Sequence, residues 1–245
     1  MSKSKDTLFS SPMQRNHKFD FGIKTVDVFD DMLHRSIPFY GEIQNMIVEL
    51  ATTFISNKPV IYDLGCSTGT TLLLLSKTLA EKQPKLIGVD ASQPMLDKAK
   101  SNIVKLNPNS NIEFKQADLN EAIDFLPADI MIMNLTLQFI KPDYRGALIK
   151  NIYTKLKRGG ALILIEKVIG EVESMNSFFM NHYHAYKKRK GYSDLEIAQK
   201  RDALEDVLIP YRLSDNINLL KQQGFDSTEV FFRWYNFVGV IAIKA

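Results

Sequence analysis

The sequence predicts an α/β protein with a doubly wound, mostly parallel sheet that closes in an antiparallel hairpin. Three observations carry this. Strand-like and helix-like segments alternate five times at spacings that suit βαβ units. Residues 128–134, ADIMIMN, form an unbroken apolar run, the pattern of a strand covered on both faces. Residues 227–234 and 237–244 read as two strands with a couple of residues between them, which only a hairpin can join.

The elements follow in order. Residues 1 to about 20 are polar and predicted to be loosely held unless another part of the chain ties them down. Val26, Phe29, Met32 and Leu33 have helical spacing, and Ile43, Met46, Ile47 and Leu50 repeat it after Pro38. VIYDL at 60–64 is a short strand, and 70–80 a helix. KLIGVD at 85–90 is the second strand, and Ser92 and Pro94 open the helix after it. Residues 111–118 alternate as a third strand, and 128–134 are the fourth. A helix from Pro142 is expected to end near Lys157, with Gly159-Gly160 turning into the fifth strand, ALILIEK. The 55 or so residues before the hairpin read as helical. Residues 1–57 are thus an N-terminal arm with helices, and 58–245 an α/β domain with a helical insertion over about 170–212.

Composition narrows the function. The 245 residues are 45% hydrophobic and 24% charged, the balance of a globular protein with an ample core. A net charge of +3 is too small to indicate nucleic-acid binding. No apolar stretch approaches the ~18 residues of a membrane span, and the N-terminus lacks a signal peptide's apolar core. The single cysteine, Cys66, excludes an intramolecular disulfide, so a reducing, cytoplasmic setting is expected. His17, His34, His182 and His184 make no convincing metal site.

In such a sheet the ligand lies at the carboxyl ends of the strands. The first strand runs into Gly65-Cys66-Ser67-Thr68-Gly69, where glycines let backbone approach a ligand. A pyrophosphate loop would read G-x-G-x-x-G; this one reads G-x-S-x-G with Asp63 in front. Asp90 ends the second strand and Asp118 the third. Taken singly, each acid is an ordinary solvated strand end; together with the loop they point to an adenosine-bearing ligand. Ser67 admits two readings, tolerated drift or a hydroxyl toward the ligand. Cys66 reads as a small filler, since no base lies near it in sequence. Within 184–210, Ser193 and Glu196 form a capping box, and Leu195, Leu204, Val207 and Leu208 supply the apolar side of the capped helix, with Arg201 among them. Glu205 is the obvious surface partner for Arg201. The run Lys187-Lys188-Arg189-Lys190 reads as a solvated helix end.

DLGCSTG resembles the cofactor loop of class I S-adenosylmethionine-dependent methyltransferases, a Rossmann-like fold whose seven-stranded sheet also ends in an antiparallel hairpin. With DTLFS (6–10), SIPFY (36–40), NLTLQFI (134–140) and YSDLEIAQKR (192–201), it resembles the carboxy-S-adenosyl-L-methionine synthase family across nearly the whole chain. The resemblance implies S-adenosyl-L-methionine as ligand, no metal, and prephenate as carboxyl source. It further implies carboxy-S-adenosyl-L-methionine and phenylpyruvate as products, a homodimer, and a downstream enzyme that carries the carboxymethyl group to a tRNA wobble uridine. No direct contact with nucleic acid or membrane is expected. A sulfonium acidifies its methyl protons, so carbon–carbon bond formation there is chemically reasonable. Carried over residue by residue, Gly65, Cys66 and Ser67 form the loop, Asp90 accepts the ribose hydroxyls, and Asp118 and Leu119 meet the adenine. Asn134 and Tyr40 close the methionine side, and Arg201 grips the carboxylate, so that Arg201 and Tyr40 are the residues nearest the chemistry. Ser67 is then the family's usual residue. Ala91 departs from an expected asparagine and leaves Asp90 to carry the hydroxyls. The competing readings are a conventional methyltransferase acting on a small molecule or RNA, and a non-catalytic cofactor-binding regulator.

Overall fold

A computed structural model describes residues 5–13 and 18–245; His17 lies outside them. The sheet has seven strands in the order β3-β2-β1-β4-β5-β7-β6. They are β1 (Val60–Leu64), β2 (Lys85–Asp90), β3 (Ile112–Gln116), β4 (Ala128–Asn134), β5 (Leu156–Lys167), β6 (Ser227–Trp234) and β7 (Phe237–Ile243). The first five are mutually parallel, while β7 runs antiparallel to both β5 and β6. The order reverses between β1 and β4, so a crevice opens beyond Leu64 and Asn134, as expected at a switch point.

The helices are α1 (Ile23–Ser36), α2 (Tyr40–Thr53), α3 (Thr70–Thr78), α4 (Gln93–Leu106), α5 (Pro142–Lys155), α6 (Glu173–Arg189), α7 (Asp194–Ala203) and α8 (Leu213–Gln222). Alternation along the strands divides the core in two. Tyr62, Val89, Met131 and Leu164 face α5 and α8 through Leu148, Ile149, Ile152 and Leu220. Ile61, Leu86, Ile132 and Ile163 face the opposite layer, where α2 contributes Ile43 and Ile47, α3 Leu72 and Leu75, and α4 Leu96. Among the described residues no helix is long and apolar enough to cross a membrane.

Four details differ from the sequence expectations. First, residues 5–13 are firmly tied down. Phe9 joins Phe29, Met32 and Ala203 in a third apolar cluster, and Gln199 of α7 donates to the Phe9 and Ser11 carbonyls at 2.8 and 2.9 Å. Asp6 is buried and accepts from the Tyr192 hydroxyl at 2.5 Å. Second, β5 begins at Leu156, directly after α5. Leu156 pairs with Ala128, a register shift follows, and Gly159 takes a positive φ of 74° to absorb it. Third, β3 stops at Gln116, so Asp118 lies beyond the strand. Fourth, α7 buries Ile197, Lys200 and Ala203, while Leu195 is 43% exposed on the opposite side. Leu195 is therefore not part of the packed face.

The excursion that carries α6 and α7 starts and ends on paired backbone. Ile169 N–H donates to the Tyr211 carbonyl at 3.1 Å, and Ile169 bridges Arg212. Gln138, buried in the short 3₁₀ turn after β4, holds both ends. Its Oε1 accepts from Lys167 N–H at 3.0 Å, and its carbonyl accepts from Ile209 N–H at 2.8 Å.

Candidate functional site: a cavity with an acidic and a basic wall

The loop after β1 is shaped by three left-handed residues, Gly65 (φ 81°), Ser67 (φ 52°) and Gly69 (φ 80°). A Cβ on Gly65 would collide with the Thr136 side chain, so only glycine lets the loop pass the turn after β4. Gly65 and Cys66 N–H both donate to the Val89 carbonyl, at 2.7 and 3.0 Å. Ser67 N–H donates to Asp90 Oδ2 at 2.9 Å, and its hydroxyl lies 3.5 Å from Met95 Sδ. The strained Ser67 backbone thus delivers an amide to the acid at the end of β2. Cys66 is buried, and burial, then Asp63 and Asp90, pushes its thiol up; that agrees with a filler and not a nucleophile.

Strand ends supply the acids. Asp63 is buried with Oδ1 unpartnered, and burial followed by Asp90 pushes its carboxyl up to about 7. Burial also raises Asp90, against the backbone amides of Ser92, Ser67 and Ala91. Asp118 is exposed, and its Oδ1 accepts from Asn120 N–H and Nδ2 at 2.9 and 2.7 Å. Asn134 closes β4 with Oδ1 buried and unpartnered. Tyr40, 7% exposed, accepts from Gln44 Nε2 at 2.9 Å; burial, with Asp30 and Asp63 adding to it, keeps its phenol protonated.

Tyr40, Gly65, Cys66, Ser67, Asp90, Ala91, Asp118, Leu119, Asn134 and Arg201 all line one cavity of about 820 Å³. Its acidic side offers acceptors without donors, at Asp63 and Asn134. Such groups suit a ligand bearing an ammonium, a sulfonium and hydroxyls.

Arg201 apart, a basic wall of the same cavity was missed by sequence reasoning. Lys167 ends β5, Tyr183, His184 and Lys187 come from α6, and Lys200 and Arg201 from α7. Lys187 is 6% exposed, so the first member of the basic run is not solvated; Lys188, Arg189 and Lys190 are exposed, as expected. Burial, with Lys167, Lys200 and Arg201 close by, pulls its ammonium down to about 7. Burial alone brings Lys167 to about 8, and it outweighs Asp6 in bringing Lys200 to about 8. His184 is lowered by burial and then by Lys187, Lys167, Arg201 and Lys188. Lys200 reaches Ser36 Oγ at 3.1 Å and Asp6 at 3.8 Å. A signal was present: Met180, Tyr183, His184 and Lys187 fall on one helical stripe, and all four line the cavity. Arg201 lies at the rim, 61% exposed, and pairs with Asp202 at 2.8 Å; Glu205 is not its partner. The other described histidines are dispersed, His34 against Tyr40 and His182 against Tyr235. Among the described residues no group of three His, Cys, Asp or Glu residues has a metal-binding arrangement.

Comparison with known proteins places this geometry. A family model described as a methyltransferase domain matches residues 61–160. A solved structure of a putative S-adenosyl-L-methionine-dependent methyltransferase from Methanococcus maripaludis superposes with a TM-score of 0.60. That match covers 96% of this chain and 98% of the other at 22% identity, and so speaks to the fold alone. The fold is that of the class I S-adenosylmethionine-dependent methyltransferases. The carboxy-S-adenosyl-L-methionine synthase of Methylococcus capsulatus is 45% identical over 241 residues, covering 98% of this chain and all of its own. The enzyme of that name from Desulfotalea psychrophila is 43% identical over 244 residues, covering 100% of this chain and 99% of its own. The matched length takes in the sheet, the insertion and the arm, and the chain belongs to the carboxy-S-adenosyl-L-methionine synthase family.

Proposed function

We propose that this protein converts S-adenosyl-L-methionine and prephenate to carboxy-S-adenosyl-L-methionine and phenylpyruvate. The observation that carries the reading is the two-signed cavity. Acceptors at the strand ends suit a sulfonium nucleoside, and cations opposite them suit an anionic second substrate. A conventional methyl transfer creates no anion at the sulfonium, whereas a carboxymethyl product carries one.

The net reaction balances without a metal or an oxidant. A C–H bond at the methyl carbon is replaced by a C–C bond to a carboxyl group. The donor loses carboxyl and hydroxyl as its ring becomes aromatic, and the displaced proton and hydroxide leave as water. In this reading the protein mainly orients both partners and excludes water. Asp90 accepts the ribose hydroxyls, Asp118 and the Leu119 amide meet the adenine, and the 65–67 loop passes close to the ligand backbone. Asn134 and Tyr40 hold the methionine end near the methyl group. Arg201 exchanges Asp202 for the new carboxylate, which its planar fork can grip through two parallel hydrogen bonds.

The same reading includes a cytoplasmic homodimer whose product passes to a tRNA carboxymethyl-transfer enzyme. Exposed Val172, Met175 and Phe178 at the start of α6 give a dimer apolar surface to bury. Incubation with both substrates tests the activity. The expected products are a nucleoside heavier by one carbon dioxide and an equal amount of phenylpyruvate. Demethylated cofactor with a methylated acceptor, or no turnover, would overturn the reading; a monomer by light scattering would overturn the assembly.

A further inference from the structure

The basic wall contains more cations than one carboxylate requires, and they are not equivalent. Arg201 sits at the rim and is engaged by Asp202, while Lys200 is engaged by Ser36 and Asp6. Lys167 and Lys187 come from different elements, β5 and α6, and meet over one ring. Their ammonium nitrogens lie 5.2 and 4.6 Å from the centroid of the buried Tyr183 ring. Among the described residues neither pairs with a carboxylate. Two like charges held together in a mostly apolar cavity raise the free energy of the folded chain. A tyrosine face offsets only part of that cost. Burial alone lowers the Lys167 ammonium, while burial and then the nearby Lys167 lower that of Lys187. An arrangement of this kind is relieved by an anion placed between the two ammoniums.

We infer that Lys167 and Lys187 form a second anion receptor, distinct from Arg201, which takes the carboxylate that the carboxyl donor keeps. The inference rests on the reaction proposed above and deepens it. Prephenate carries two carboxylates on one ring carbon, one attached directly and one at the end of a pyruvyl arm. The direct one is transferred and must lie beside the methyl carbon; the other survives in phenylpyruvate. The two need separate cations a short arm apart. Lys167 suits the second role by topology: β5 lies next to β4, and Asn134 pairs in register with Ile165, two residues before Lys167. The retained carboxylate then lies one strand away from the methionine end. Lys167 and Lys187 are positioning residues, with no part in breaking bonds.

The test uses phenylpyruvate, which bears only the retained carboxylate, with the full chain saturated in S-adenosyl-L-methionine. Lys167→Met and Lys187→Met, which keep stem length and remove charge, should each weaken phenylpyruvate binding by roughly 10-fold or more, the loss of a charge-assisted contact. They should raise KM for prephenate, leave the affinity for carboxy-S-adenosyl-L-methionine unchanged, and melt at or above the wild-type midpoint. Lys187→Arg should restore most of the binding. Unchanged phenylpyruvate affinity in the double methionine variant overturns the receptor. So does an equal loss for carboxy-S-adenosyl-L-methionine, which would mean that the lysines serve the Arg201 anion. So does a lower melting midpoint that Lys187→Arg fails to rescue, which would mean a structural role. Wild-type protein that binds phenylpyruvate through these lysines yet never carboxylates the nucleoside would overturn the proposed reaction and leave the receptor standing.

Discussion

The two walls of the cavity are built by different means. The acidic wall stands on the sheet: Asp63 is the penultimate residue of β1, Asp90 ends β2 with the Ser67 and Ser92 amides on its carboxylate, and one glycine fixes the loop between. The basic wall, Lys167 of β5 apart, stands on inserted helices, which the N-terminal arm holds through Tyr192, Asp6 and Gln199. One wall is fixed by strand register, the other by contacts between segments some 186 residues apart. The contrast teaches that the acidic wall is disturbed by changes to the sheet, whereas most of the basic wall can be disturbed without touching it.

Arg201→Ala should break the comparison most sharply. It should cost about 3 kcal/mol of carboxy-S-adenosyl-L-methionine binding, roughly 100-fold, since two charge-assisted hydrogen bonds are lost. Unmodified S-adenosyl-L-methionine should bind as before, and Arg201→Lys should recover little because a point charge cannot replace the fork. Calorimetry with the two nucleosides checks this; equal losses would merge the two walls into one.

Asp90→Ala is the matching change on the acidic side. Affinity for both nucleosides should fall together by about 2 kcal/mol, the range for hydrogen bonds to a charged acceptor. The Ser67 and Ser92 amides also lose their acceptor, so the melting midpoint should drop. Retained affinity would reduce Asp90 to a loop brace.

A smaller effect separates the arm from the chemistry. Tyr192→Phe removes the hydroxyl that Asp6 accepts from, at a cost of about 1–2 kcal/mol. Protease cleavage within residues 5–13 should quicken and KM for prephenate should rise, while S-adenosyl-L-methionine affinity holds. Unchanged cleavage would show that Phe9 and Gln199 alone secure the arm.

The smallest effect, taken per pH unit, is a pH dependence. Folding lowers the Lys187 ammonium to about 7, against about 10.4 in an unfolded chain. Above pH 7 the unfolded chain therefore binds the extra proton, and this lysine's penalty on stability is relieved as pH rises. Burial sets it first, then Lys167 on β5 and Lys200 and Arg201 on α7; Tyr183 and His184 line the cavity beside it on its own helix. Wild-type stability relative to Lys187→Met should improve by about 1 kcal/mol per pH unit between pH 7 and 10. Denaturant unfolding at several pH values checks it, and a flat difference would mean that the ammonium is hydrated.

Legibility in the sequence follows the same division. The strands, the hairpin and the acidic wall depend on local pattern, and DLGCSTG, Asp90 and Asn134 stand where strand ends place them. Gly159 hid the start of β5, because a glycine pair reads as a turn, while Leu156 pairs with Ala128 across the sheet. Lys187 was hidden by its charged neighbours: Lys188 is exposed and pairs with Asp194, yet one residue earlier the helix faces the cavity. The arm was hidden because its anchors, Tyr192 and Gln199, are nearly two hundred residues away. That Lys187 shares the Tyr183 ring with Lys167 of β5 is a tertiary fact, which no short window of sequence contains.

Gln138 gives the insertion a mechanical character. By holding Lys167 N–H and the Ile209 amide at once, it clasps the excursion into a ring, beside the Ile169–Tyr211 pairing. Loop-closure entropy grows only slowly with length, so such a ring could lengthen or change its helices at modest cost while the clasp held. The clasp sits in the turn that follows Asn134, so the two ends of the excursion are tied to the end of β4. One residue does this twice over, with its side-chain oxygen on one end and its backbone carbonyl on the other.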